Sequence, residues 1–364
     1  MSTVTVPQTG AEPTVDGFAE RLFGAVLGAQ EVQAVYLGHR LGWYRALADH
    51  GSLTSVELAD RTGTTERYAR EWLEHQAVCG YLTVDLVDAA PTERRYTLPA
   101  AHAEVLVDED SLAYVAPLAR FVATVGQHLD HVAEAYRTGG GVSWAELGTD
   151  AREAQAEANR PLFLHQLGQE LLPQVPDLHA RLEAGARVAD VGCGGGWSSI
   201  GLARAYPGVT VDGFDIDAPS IEMARRNAEA AGLTDRVRFH AEDGAEVEGH
   251  YDGVFAFECI HDLPDPVSVL AAMRRLAGPD GIVIVMDERV GEHFTAPGDE
   301  LDRLMYGYSI TACLPDGMAH RPSEGTGTVM RPSTLADYAR RAGFARADVL
   351  PIENDFFRFY RLEV

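Results

Sequence analysis

Two hydrophobic periodicities divide the chain. From Phe18 to about Leu47, apolar positions such as Leu22, Val26, Leu27, Val32, Val35, Leu37 and Leu41 fall mostly at helical spacings. The stretch GSLTSVELADRTGTTERYAREWLEHQAVCGYLTVD then predicts a short helix, a turn at Gly63, a second helix from about Glu66, a stop at Gly80 and a strand-like YLTV. RRYTL follows a proline-containing loop as a second strand. Helix, turn, helix and a two-stranded wing make a winged-helix pattern. Residues from about Ser111 to Leu182 read as mostly helical, with Gly139-Gly140-Gly141 as a flexible break.

From Ala186 the period changes. RVADV, VTVDGF, RVRFH, DGVFAF and GIVIVM are short apolar runs, separated by helical segments such as APSIEMARRNAEAAG and PVSVLAAMRRLAG. FARADVLPIENDFFRFYRLEV adds two strands without an intervening helix. Alternating strand and helix predicts an α/β fold with a doubly wound, mostly parallel seven-stranded, Rossmann-like sheet. The expected organisation is a disordered tail over 1–17, a mainly helical winged-helix domain over 18–105, a helical linker over 106–182 and a ligand-binding sheet domain over 183–364.

Composition narrows the partners. A length of 364 residues suits two domains, and 46% hydrophobic with 23% charged residues is ordinary for a globular protein. The net charge of -25 opposes a nucleic-acid partner and an anionic membrane surface. The second helix of the winged-helix pattern carries Arg67 and Arg70, but Glu66, Glu71 and Glu74 cancel the positive face a DNA reader needs. Cys79, Cys193, Cys259 and Cys313 form no CxxC pair, which suggests a reduced, cytoplasmic protein. The N-terminus lacks a signal-peptide pattern, and no apolar run approaches the ~20 residues of a membrane span.

The candidate chemistry begins at VADVGCGGGWSS. Asp190 ends the first strand of the sheet, and Gly192, Gly194 and Gly196 follow it. A dinucleotide loop would read G-x-G-x-x-G, but here Trp197 occupies the position of the third glycine. An acid before the loop suits a cationic amine better than a pyrophosphate. Asp215, ending the second strand in GFDID, can accept both hydroxyls of a ribose. Asp243, after the third strand in AEDG, can take an adenine amino group. Amine, ribose and adenine partners without a phosphate site describe S-adenosylmethionine.

These motifs, with YDGVFAFECIHDLPDP, resemble the class I S-adenosylmethionine-dependent methyltransferases over about Ala186 to Met286. With the winged-helix start, the chain resembles the two-domain small-molecule methyltransferases, whose N-terminal domains form homodimers. The resemblance implies Asp190, Gly192, Gly194 and Gly196 around the methionine end of the cofactor and Asp215 on ribose. It implies Ile216 on the adenine face and Asp243, with Gly244 beside it, at the adenine edge.

His261, just past the fourth strand, is the candidate general base for an oxygen or an enolisable carbon of a small-molecule acceptor. The family places a matching His-Asp pair here, and Asp287 matches the acid that orients the His. Asp262 reads as the cap of the next helix, with Pro264 early in that helix. Glu258 lies near the cofactor edge without an assigned role. A rival within the enzymes is carbon methylation of a 2-oxo acid, in which His261 would bind a divalent or ferric metal with His320 and Glu324. A rival of another class is a ligand-sensing winged-helix transcription factor. Met305, Tyr306, Tyr308 and Cys313, and Phe163, His165 or Gln169 from PLFLHQLGQELL, are candidates for the acceptor wall.

Overall fold

The computed structural model describes residues 14–364, so residues 1–13 of the expected tail lie outside the described residues. The remaining end of that stretch is not a tail, because a helix starts at Val15, capped by Thr14 Oγ1 accepting the Gly17 N–H at 3.1 Å. The chain divides into two compact units, one ending at Val107 and one beginning at Asp108.

In the first unit the helix Val15–Arg40 packs through its C-terminal half only. The Trp72 indole donates to the Ala34 carbonyl at 2.9 Å. Gly38 admits the Tyr44 and Trp72 rings to within 2.3–2.6 Å of where a Cβ would stand. The N-terminal half leaves Phe18, Leu22, Phe23, Val26 and Leu27 48–64% exposed. Helices Ser55–Thr62 and Glu66–Val78 follow, the first closed by a Thr54–Glu57 capping box and ended by Gly63 in the left-handed region. Strands β1 (Thr83–Asp85) and β2 (Arg95–Thr97) pair antiparallel as the wing. Arg67 and Arg70 are engaged by Glu71 at 2.5 Å and Glu66 at 3.3 Å.

The second unit is built on seven strands: β3 (Arg187–Val191), β4 (Thr210–Asp215), β5 (Val237–Ala241), β6 (Gly253–Phe257), β7 (Ile282–Glu288), β8 (Arg346–Val349) and β9 (Phe357–Glu363). Their order is β5-β4-β3-β6-β7-β9-β8, and all neighbours are parallel except those of β9. Successive residues alternate between two cores. Val188, Phe255, Phe257, Ile284 and Met286 face helices Pro176–Glu183, Trp197–Ala205 and Ala218–Ala230. Ala189, Val191, Val254, Ala256, Val283 and Val285 face helices Pro266–Ala277 and Pro332–Arg341. Burial on both faces explains why these strands read as continuous apolar runs.

A helical layer precedes the sheet. Helix Trp144–Leu162 starts at a Ser143–Glu146 capping box, kinks at Gly148 (φ 82°, ψ -169°) and continues as a π-helical stretch, Phe163–Leu171. Asp316 Oδ1 accepts the Trp144 N–H at 2.7 Å. Buried Arg120 joins this helix to Ala116–Gly126 through Asp150, Glu153 and Glu157. The Gly139–Gly141 stretch separates two helices, as expected from sequence, and its last residue is tightly packed. Gly139 ends a helix in the left-handed region, and a Cβ on Gly141 would stand 2.2 Å from the Pro315 carbonyl, so this residue is a close-packing point. Among the described residues no helix is long and apolar enough to cross a membrane.

Candidate active site at the carboxyl edge of the sheet

The order of the strands makes the loop after β3 the place where helices diverge to opposite faces, which is where such sheets bind ligands. Gly194 adopts φ 49°, and a Cβ there would meet nothing within 4 Å, so the loop's outer surface is open at this residue. Gly192 and Gly196 answer to packing instead. A Cβ on Gly192 would stand 2.6 Å from Cys259 Sγ, and one on Gly196 2.4 Å from the Phe239 ring.

Asp190 is buried beneath this loop. Its Oδ2 accepts hydroxyls of Ser198 and Ser199, each at 2.6 Å, while Oδ1 has no partner. Burial pushes its carboxyl up to about 6, against the pull of the two serines. At the end of β4, Asp215 accepts the N–H groups of Gly194 at 2.9 Å and Asp217 at 2.8 Å, one on each oxygen. A second lone pair remains on each oxygen. Ile216, beside it, is 72% exposed, unusual for so apolar a residue. Asp243 is exposed after β5 and accepts the Ala245 N–H at 2.9 Å. A Cβ on Gly244 would press on Val191 at 2.8 Å.

His261 follows β6 and is 2% exposed. Its Nδ1 lies 2.7 Å from Asp287 Oδ1 and 2.9 Å from Glu288 Oε2, and its Nε2 lies 3.2 Å from Asp262 Oδ1. Burial alone lowers the imidazole pKa, but the charges of Asp262, Glu288 and Asp287 overcome it and push it well above the usual value. Burial works to raise Asp287, yet the imidazolium and the Glu288 contacts hold it below the ordinary range. Glu288 has the opposite fate, pushed well up by burial and by Asp287. These opposed shifts favour the proton on His261 and on Glu288 and the negative charge on Asp287.

Asp262 is not the helix cap. Asp265 caps Pro266–Ala277, accepting the Ser268 N–H at 3.0 Å, and Pro264 lies before the helix. The candidate metal set is not assembled. His320 is exposed, Glu324 is paired with Arg341, and neither belongs to the groups of metal-capable atoms around His261 found among the described residues. Those groups are His261 with Asp262 and Cys313, and His261 with Asp287 and Glu288. In the second, both carboxylates lie within 2.9 Å of one ring nitrogen, and Asp287 Oδ1 is the one that meets it as a hydrogen-bond partner, while Glu288 Oε2 has none.

Of the expected acceptor wall, Phe163 belongs to the sheet core, its ring 6.0 Å from Phe257. His165 is exposed, 3.7 Å from Asp110, and Gln169 is exposed with its amide turned back to the Leu164 carbonyl. Met305 is 6% exposed. Tyr306 is exposed near Arg331. Tyr308 packs edge-on to Phe121, and burial, with the charges of Glu258 and Cys313, pushes its phenol up to about 12.

Several site residues lack a sequence signature. Glu258 sits at φ 57° directly after β6, and its half-buried carboxyl, raised to about 7 mainly by desolvation, accepts from Asn159 at 2.5 Å and Gln155 at 3.3 Å. Arg152 makes a two-point contact with Asp217, at 2.5 and 3.0 Å. Glu288 could have been found from the pairing DE at a strand end, since two adjacent acids finishing an apolar run are hard to bury without a cation.

Residues 182–312 match the family described as a methyltransferase domain, and residues 32–108 match an Rv2258c-like winged HTH domain. The chain is 32% identical over 204 residues to a ubiquinone biosynthesis O-methyltransferase of Aromatoleum aromaticum, spanning 55% of this chain and 80% of that protein. The fold is similar to that of the mitomycin 7-O-methyltransferase MmcR (TM-score 0.71, 23% identity, 96% of this chain and 98% of that one). It is also similar to human N-acetylserotonin methyltransferase in complex with its cofactor (TM-score 0.69, 17% identity, 98% of this chain and 99% of that one). The chain belongs to the class I S-adenosylmethionine-dependent methyltransferases that act on small molecules, with a winged-helix domain N-terminal to the catalytic sheet.

Proposed function

We propose that this methyltransferase methylates a hydroxyl oxygen of a small metabolite, with His261 as general base and Asp287 as the group that orients it. The carrying observation is the buried His261–Asp287 contact of 2.7 Å, with His261 after β6, the strand next to β3 and its glycine loop, and Asp287 on β7 one strand further. The relatives' O-methyltransferase activity supports oxygen over carbon as the nucleophile.

Bound S-adenosylmethionine supplies a methyl group already activated by its positive sulfur. The unpartnered Oδ1 of Asp190 is suited to its amine, and the spare lone pairs of Asp215 to the ribose hydroxyls. Exposed Ile216 is a shelf for the adenine face, with Asp243 at its edge and Gly244 keeping that turn against Val191. Gly194 lets the cofactor approach the backbone, while Gly192 and Gly196 fix the loop's path.

His261 Nε2 accepts the acceptor hydroxyl's proton as the oxygen–carbon bond forms, and Asp287 stabilises the imidazolium from the other side. Asp262 Oδ1, 3.2 Å from Nε2, favours the protonated imidazole through its charge. Tyr308 borders the acceptor side. The exposed apolar half of helix Val15–Arg40 supports a homodimer formed through the N-terminal unit, since so large an uncovered apolar stripe marks an interface.

The test is His261→Ala assayed against a panel of phenolic and hydroxylated metabolites. The expected loss in kcat is about 10²–10⁴-fold, with S-adenosylmethionine affinity by calorimetry unchanged. Collapse of cofactor affinity, or an undiminished rate, would refute the assignment.

A further inference from the structure

Three polar residues of helix Trp144–Leu162 lie on one face: Arg152, Gln155 and Asn159, spaced three and four apart. Arg152 grips Asp217, just past β4, while Gln155 and Asn159 grip Glu258, just past β6. Between β4 and β6 lies β3 with the glycine loop at its end. Seven residues of helix span about 10.5 Å, and two strand spacings span about 9.6 Å, so one helix face reaches both strand ends at once. Midway along this span the helix sits on the loop itself, where a Cβ on Gly195 would stand 2.8 Å from Ala156 Cβ.

Glu258 is held for this contact at a backbone cost. Its φ of 57° lies in the left-handed region that residues with a Cβ seldom enter, and its N–H is fixed to the Met286 carbonyl at 2.7 Å. The helix also has a built-in bend at Gly148, N-terminal to all three residues.

We propose that Asn159 and Glu258, aided by Gln155 and by Arg152–Asp217, form a latch that holds this helix across the cofactor edge and sets the rate at which S-adenosylhomocysteine leaves. These are positioning residues: they act by keeping the strap down, and the transferred proton passes through none of them. The inference rests on the glycine loop being the cofactor site.

The experiment exchanges the partners. Asn159→Asp opposes two carboxylates, Glu258→Gln opposes two amides, and the double variant restores a carboxylate–amide pair of the same length with the roles reversed. The measurement is the dissociation rate of radiolabelled S-adenosylhomocysteine from the full-length protein, chased with unlabelled compound. Each single variant is expected to release it about tenfold faster, the weight of one charge-assisted hydrogen bond. The double variant should return to within about threefold of the wild type. Asn159→Ala, which adds no charge, should speed release in the same direction and serves if Asn159→Asp does not fold. Wild-type release rates in the single variants, or no recovery in the double, overturn the latch. Asp215→Ala is run alongside: if the wild type fails to bind S-adenosylhomocysteine, or Asp215→Ala binds it as tightly, the cofactor-site reading itself falls and takes the latch with it.

Discussion

Asp287 and Glu288, adjacent at the end of β7, both reach the same ring nitrogen of His261, Oδ1 at 2.7 Å and Oε2 at 2.9 Å. Both residues belong to β7 and stay in register with β9, Asp287 opposite Arg358 and Glu288 opposite Phe357, so the two carboxylates reach one imidazole from within the strand's last ladder pairs. Only one of the two can be the ionised partner of a single N–H. Burial and the neighbouring charge raise Glu288, while the imidazolium keeps Asp287 low, so Asp287 carries the negative charge. Asp287→Asn should therefore cost kcat about 10²-fold or more, whereas Glu288→Gln should cost about tenfold at most. Steady-state kinetics with saturating cofactor decides; equal losses in the two variants would contradict the division of roles.

The pH dependence of the reaction has a definite sign. The acids around His261 hold a proton on the imidazole, and an imidazole already protonated cannot accept one from the acceptor. Activity should then rise with pH across the neutral range, with a unit slope in log kcat/KM for the acceptor. Asp262 contributes the largest favourable charge at 3.2 Å from Nε2. Removing it as Asp262→Asn lowers the imidazole pKa and should move the ascending limb to lower pH. A pH–rate profile in which the limb stays put would show that another group titrates there.

Cofactor affinity should titrate separately. The Asp190 carboxyl, raised from 3.8 to about 6 chiefly by burial, is ionised above that pH and neutral below it. The amine proposed to meet it stays positive throughout. Calorimetric affinity for S-adenosylmethionine should be flat above pH 7 and fall toward about tenfold per pH unit below about pH 6. Asp190→Asn should bind weakly and lose this slope, and a slope that survives the substitution would exclude Asp190 as its source.

What could be read in advance follows from how local each signal is. Strand ends are local: an apolar run that stops at Asp190, Asp215 or Asp287 announces both the strand and the acid at its edge. Phe163 misleads because an apolar helix face looks the same whether it lines a pocket or, as here, packs on Phe257 in the core. Asp262 and Asp265 are both plausible caps in HDLPDP, and the chain's choice of Asp265 frees Asp262 to face His261. Arg152, Gln155 and Asn159 form a polar stripe indistinguishable in sequence from a solvated helix face. Only the long-range placement of the helix on Gly195 reveals that this stripe faces inward.

That placement supplies a last test, independent of charge. Gly195 has no left-handed backbone to protect, so Gly195→Ala should act by contact alone: its Cβ would stand 2.8 Å from Ala156 Cβ and 3.2 Å from the flexible end of Met223. Met223 can yield, but Ala156 can move only with its helix. The expected cost is about 1–3 kcal/mol of stability, as for other overpacked sites, with weakened cofactor binding because the strap is lifted from the loop. Ala156→Gly removes the opposing methyl at a helix penalty of about 1 kcal/mol. The double variant should therefore bind S-adenosylmethionine more tightly than Gly195→Ala alone, even though Ala156→Gly by itself weakens the helix. Recovery of affinity in the double variant would tie the defect to this one contact, and its absence would locate the glycine's importance in the loop rather than beneath the helix.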